Sequence, residues 1–123
     1  MEQPALLSGI RCHKVQTDRL LQNVYFSGDE HGTPVIFLHG NFSSALYWEE
    51  TMLALPQGFW GIAPDLRGYG WTEDKLADST RGMREWSDDI HSLLKALNIQ
   101  KAHFVGWSMG AGVIYRFITD YSD

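Results

Sequence analysis

Ala102-His103-Phe104-Val105-Gly106-Trp107-Ser108-Met109-Gly110-Ala111-Gly112-Val113 is the stretch whose reading decides the fold. Its first part, 102–106, is a short apolar run of the kind that forms a strand buried on both faces. Its second part changes period. Over 109–121 the apolar residues Val113, Ile114, Phe117, Ile118 and Tyr121 fall on one side of a helix. At the junction stands Gly106-Trp107-Ser108-Met109-Gly110, a Gly-x-Ser-x-Gly sequence. The pattern alone is common. Directly after a buried strand and opening a helix, it has the setting of a nucleophile elbow. A serine on so sharp a turn takes a strained backbone conformation. Its neighbours two positions away must be small, and Gly106 and Gly110 meet that need. The Ser108 hydroxyl would then stand at the carboxyl end of the strand, where open α/β sheets bind ligands. The helix N-terminus beside it favours negative charge.

Working back toward the N-terminus, short strands and amphipathic helices alternate. Residues 9–16 and 20–27 read as strands joined by a polar turn at Thr17-Asp18. The run 34–38 and the run 59–63 read as buried strands. Ala45, Trp48, Met52 and Leu55 predict a helix over 45–55, capped by Ser43 or Ser44. Trp86, Ile90, Leu93, Leu94 and Leu97 trace a helix over about 80–98. Residues 65–77 form a polar, glycine-containing loop. The order β-β-β-α-β-α-β-α implies βαβ units with right-handed crossovers and a mostly parallel sheet, an α/β fold. The link between the first two strands is too short for a crossover, so they should pair antiparallel at one edge.

His39-Gly40-Asn41-Phe42 follows the third strand. Acyl transfer needs donors for the oxyanion of its tetrahedral intermediate. Behind a Gly-x-Ser-x-Gly elbow, one backbone N–H comes from the residue after the serine, here Met109. The other comes from the loop after the third strand, where Asn41 is the first candidate and Phe42 the second. His39 reads as a structural histidine that bonds backbone rather than as a general base. Phe42 and Trp107, with Met109, are candidates to line the mouth of an apolar substrate pocket. Gly40, like Gly106 and Gly110, is placed near the site for structural reasons.

These elements together resemble the α/β-hydrolase fold family, of the Abhydrolase type with a serine nucleophile. The likeness rests on Val35-Ile36-Phe37-Leu38-His39-Gly40, then Trp48, then Ala63-Pro64-Asp65-Leu66-Arg67-Gly68-Tyr69-Gly70, then the elbow at 106–110. It covers roughly 20–120. It implies the N-terminal half of a single domain, with about five strands and three helices in the order 1-2-4-3-5, and no second domain. Asp65 and Arg67 then read as residues that fix their loop. Relatives that open epoxides or remove halogens from alkanes place aspartate at the elbow and usually proline two positions after His-Gly. This chain has Ser108 and Phe42 there. The resemblance thus leaves the serine-dependent members, which are esterases, lipases, lactonases, carbon–carbon-bond hydrolases, cofactor-free haloperoxidases and some acyltransferases, with hydrolysis of an ester or related acyl bond as the first reading and no cofactor or metal expected.

In this family the triad runs Ser, then Asp or Glu, then His. Only residues 109–123 follow Ser108, and no histidine is among them. Asp120 and Asp123 are expected to turn away from the elbow. The triad acid and base, like the lid, are expected to be absent from these residues. His13 and His31 fall in the first strands or the loop after them. His91 is expected on a solvated helix face and His103 packed in its strand. Three readings of activity therefore stand: a hydrolase whose remaining residues come from further sequence, a non-catalytic fragment or binding relative, and half of a split enzyme completed by a partner chain. The strand before Ser108 would be an unpaired edge, and part of the sheet's apolar face would lie open, so self-association is expected.

Bulk composition narrows the classes. With 44% hydrophobic and 20% charged residues the chain can build a core and is not of disordered type. A net charge of −5 with scattered Lys and Arg argues against nucleic acid or an anionic membrane as partner. The one cysteine, Cys12, permits no intrachain disulfide and reads as a packed strand residue. The opening residues 1–7 lack a basic, apolar leader pattern. These features predict a cytoplasmic protein acting on a small-molecule ester or acyl substrate.

Overall fold

The computed structural model describes residues 5–121, so the reading of 1–7 as lacking a leader falls partly, and that of Asp123 wholly, outside the described residues. Five strands, Arg11–Gln16 (β1), Leu21–Gly28 (β2), Thr33–Leu38 (β3), Phe59–Pro64 (β4) and His103–Gly106 (β5), form one sheet in the order β1-β2-β4-β3-β5. The three helices are Glu49–Leu53 (α1), Arg84–Ala96 (α2) and Met109–Tyr121 (α3). β2 is antiparallel to both β1 and β4, while β3 is parallel to both β4 and β5. All strands but β2 therefore run one way, yet the sheet is mixed, because the reversed strand sits second from the edge and has two antiparallel neighbours.

Two predicted helices divide for local reasons. The segment 45–55 begins as a 3-10 turn, Ala45–Trp48, before α1. There the Asp65 carboxylate takes the Ala45 N–H at 2.8 Å and Ser44 Oγ takes the Leu46 N–H at 3.3 Å. The segment 80–98 begins as a 3-10 turn, Ser79–Arg81, capped by the Asp78 side chain. Gly82, at φ 59°, separates that turn from α2, a left-handed backbone that a helix cannot continue through.

Both faces of the sheet are covered, which is why β3 and β4 read as unbroken apolar runs. Ile36, Leu38, Val24, Phe26 and Ile62 pack against Ile90, Leu93 and Leu94 of α2 and Val113 and Phe117 of α3. On the other face Val35, Phe37, Tyr25 and Ala63 pack against Ala45, Trp48 and Met52. The short α1 does not reach β5. Val105, aligned with Phe37 in the parallel register, is exposed there, and so is His103, aligned with Val35. His103 is thus not packed, and the strand is not buried on both faces as its apolar run suggested, because among the described residues no element covers that side of the edge strand. His91 also differs from expectation. α3 runs beside α2, and the His91 ring lies flat on Tyr121, with centroids 3.9 Å apart.

The loop after β4 is bound to α2 by ions. Arg67 grips Asp89 through two bonds of 2.8 Å, both side chains being buried, and donates to the Leu76 carbonyl at 3.2 Å. Trp86 returns its indole N–H to the Arg67 carbonyl at 3.0 Å. Arg19 reaches the same Asp89 at 2.7 Å. Removing one member of a buried pair costs several kcal/mol, because the remaining charge stays buried. Arg67→Met is expected to lower stability by about 3 kcal/mol, the low end of that range, since Arg19 still holds Asp89. Urea denaturation checks this, and an unchanged midpoint would show that the pair contributes nothing.

Candidate active site

The elbow is built by close backbone packing. The β3–β5 ladder runs one residue past β5, with Trp107 N–H donating to the Leu38 carbonyl at 3.2 Å. Ser108 then adopts φ 56°, a left-handed backbone that costs a non-glycine residue about 1–3 kcal/mol. The helix closes at once: Gly110 N–H bonds the Trp107 carbonyl and Ala111 N–H the Ser108 carbonyl, each at 3.0 Å. A Cβ at Gly110 would lie 2.7 Å from the Leu38 carbonyl carbon and 2.9 Å from the His39 oxygen. One at Gly106 would lie 2.6 Å from Ile114 Cδ1 and 2.8 Å from Ala111 N. Neither glycine can carry a side chain without moving backbone. At Gly40 a Cβ would run into the Trp107 ring and lie 3.3 Å from Ser108 Cβ. The loop after β3 therefore lies directly against the elbow.

Ser108 is exposed, and among the described residues no side chain hydrogen-bonds its hydroxyl. Met109 opens α3, and its N–H, like that of Asn41, has no partner among the described residues. Phe42 differs: its N–H is already taken by Asn41 Oδ1 at 3.1 Å. The Phe42 side chain is 95% exposed, at φ 57°, and Trp107 is 47% exposed. Trp107 stacks on Tyr47, with centroids 5.0 Å apart. Tyr69 donates its hydroxyl to Asn41 Oδ1. Sequence reading missed Tyr47 and Tyr69. Tyr69 lies in the loop where Asp65 and Arg67 read as loop-fixing residues, and Tyr47 stands on the polar side of its helical pattern.

His39 is fully buried and wholly engaged by backbone. Its Nε2 accepts the Leu66 N–H at 3.0 Å, and its Nδ1 lies 2.8 Å from the Gly40 carbonyl, which can only accept. These two bonds fix the neutral tautomer with the proton on Nδ1. Asp120 lies on α3, held by Arg116 at 2.8 Å. Among the described residues no three His, Cys, Asp or Glu side chains gather to hold a metal ion, and no helix is long and apolar enough to cross a membrane. A groove of about 930 Å³ is lined by Thr33 and Phe59 at the amino ends of β3 and β4 and contains none of these residues.

Fold and site together define an α/β protein that presents a serine from a strained strand–helix turn at the carboxyl end of parallel strands. A sequence model described as the alpha/beta hydrolase fold matches residues 33–123, and the chain belongs to that family. It is 29% identical over 119 residues to a soluble epoxide hydrolase of Corynebacterium sp. (strain C12), covering 97% of this chain and 37% of that protein. To 2-hydroxymuconate semialdehyde hydrolase of Pseudomonas sp. (strain CF600) it is 33% identical, covering 74% of this chain and 32% of that protein. The crystal structure of an epoxide hydrolase from Vigna radiata superposes with a TM-score of 0.83 at 29% identity, covering 94% of this chain and 37% of that one. The chain thus spans about a third of these relatives' length, between 32% and 37%.

Burial holds the His39 pKa below its ordinary 6.5, outweighing the Gly40 carbonyl and the Asp65 charge, which act to raise it. The unfolded chain therefore takes up this proton before the folded one. The contribution of His39 to stability is complete above 6.5 and is lost as the pH falls below it. Between about pH 7.5 and about pH 5.5 the urea midpoint is expected to fall, and His39→Asn is expected to flatten that fall. Equal slopes in the two proteins would remove His39 as the cause.

Proposed function

We propose that the chain carries the nucleophile and the oxyanion pocket of a serine hydrolase that cleaves an ester or a related acyl bond. The observation that supports this best is the Ser108 backbone, a non-glycine residue held at φ 56° with its side chain exposed. Strain of this kind persists only where the surroundings impose it, and here it serves to lift Oγ clear of the sheet. Ser108 Oγ attacks the acyl carbon and forms the C–O bond of an acyl-serine. The bond to the leaving oxygen breaks, and the serine proton passes through a histidine to that oxygen. Water then reverses the sequence and releases the acid. The N–H groups of Met109 and Asn41 hold the oxyanion, and Asn41 is preferred to Phe42 because the Phe42 N–H is already bonded. Phe42 and Trp107 favour an apolar acyl group.

Resemblance to enzymes with aspartate at the elbow accounts for the likeness to epoxide hydrolases, but serine at 108 favours acyl chemistry. The acid and the base of the triad are assigned to polypeptide beyond residue 123, in the same chain or in a partner. Residues 1–123 are read as the N-terminal part of one domain. A cytoplasmic location is part of the same reading and rests on the single cysteine and the acidic composition. With the polypeptide that carries the acid and the base present, a p-nitrophenyl alkylphosphonate is expected to label Ser108 and to leave Ser108→Ala unlabelled. Labelling that survives the alanine substitution would remove Ser108 from the mechanism.

Self-association through β5 belongs to the same proposal. Its outer edge pairs with no strand among the described residues, and Val105, Tyr115 and Ile118 nearby are exposed. Bare edges of this kind template pairing with another chain. Sedimentation is expected to show concentration-dependent association that Val105→Lys suppresses. A monomer at all concentrations would contradict it.

A further inference from the structure

Tyr69 stands in the turn after β4 between two glycines in left-handed conformations, Gly68 at φ 87° and Gly70 at φ 53°. Its ring meets His39 edge-on, with centroids 5.1 Å apart. Its hydroxyl donates to Asn41 Oδ1 and lies 3.8 Å from Met109 Sδ. One phenol, carried by the loop after β4, thus touches the side chains of the two residues whose N–H groups are assigned to the oxyanion. Those two residues come from different elements, the loop after β3 and the first position of α3. Asn41 is exposed, and its side-chain oxygen has only two partners among the described residues, this hydroxyl and the N–H of its own neighbour Phe42 at 3.1 Å. Among the described residues the hydroxyl is therefore the one hydrogen bond that links the Asn41 side-chain oxygen to another part of the fold.

The geometry points to Tyr69 as a positioning residue that fixes the spacing of the Asn41 and Met109 N–H groups. The inference rests on the nucleophilic reading of Ser108. Donors act on a developing oxyanion only when held near their productive geometry, and a support that slackens weakens them without removing them. Packing of the ring on His39 does not need the hydroxyl, so Tyr69→Phe separates positioning from folding.

The test measures phosphonate labelling of Ser108, with the polypeptide that carries the acid and the base present, in the unsubstituted protein and in Tyr69→Phe as a function of reagent concentration, together with amide spectra and thermal melts. Complete loss of one oxyanion donor costs about 10²–10³ in rate, so loosening two is expected to lower the limiting labelling rate by roughly tenfold. The reagent concentration for half-saturation should stay unchanged. The amide resonances of Asn41 and Met109 should shift while the melting temperature holds, a pattern that a merely structural hydroxyl would not produce. Equal limiting rates in the two proteins would overturn the role of Tyr69 and leave Ser108 standing. No labelling of Ser108 in the unsubstituted protein, with the polypeptide that carries the acid and the base present, would overturn the nucleophilic reading itself, and this inference with it.

Discussion

A single buried carboxylate organises the end of the sheet on which the site is built. Asp65 is wholly inaccessible to solvent, and among the described residues no cation pairs with it. Its charge is satisfied by neutral donors: Ala45 N–H at 2.8 Å, Trp71 N–H at 3.0 Å and the Asn23 amide at 3.0 Å. Its own carbonyl accepts from Gln22 at 3.1 Å and from Thr72 at 2.6 Å. A buried carboxylate left without donors is costly enough that such a network is satisfied as a whole or fails as a whole. The turn that closes around it has no room for a side chain at Gly70, where a Cβ would fall within 2.5 Å of Asp65 Oδ1. Through these bonds β2, the end of β4, the entry to α1 and the loop after β4 become one rigid unit.

The site hangs on that unit. Leu66, next to Asp65, gives its N–H to His39, so the loop after β3 is tied to the loop after β4. The elbow then presses against the first of these loops through Gly40, Gly106 and Gly110. The strained Ser108 backbone is held from both ends, by the β3–β5 ladder before it and by the packing of Val113 and Phe117 after it. Strain of about 1–3 kcal/mol is small beside the burial that keeps α3 in place. The contrast with the far side of β5 is sharp. There the sheet edge and Val105 have no cover among the described residues, and Tyr115 on α3 is 75% exposed.

Much of this was legible before any coordinates. The change of period at 106–109 marked the junction, and the apolar runs of β3 and β4 marked strands covered on both faces. The interposition of β4 between β2 and β3 came from family resemblance, because no spacing rule reveals which strands become neighbours. Pairings between distant residues stayed hidden for the same reason. Arg67 and Asp89 carry no local mark of their ion pair, and neither do Tyr69 and Asn41 of their hydrogen bond. His103 was misread because an apolar run marks a strand, not whether anything covers both of its faces. His91 was misread because its Tyr121 partner belongs to another helix.

The most direct test of the central claim is a crystal structure of the chain phosphonylated at Ser108. A phosphonyl oxygen lying roughly 2.7–3.1 Å from both the Met109 and the Asn41 nitrogen, with the Ser108 backbone still left-handed, is the expected result. An oxygen turned to solvent, or a Ser108 backbone relaxed out of that conformation, would contradict it.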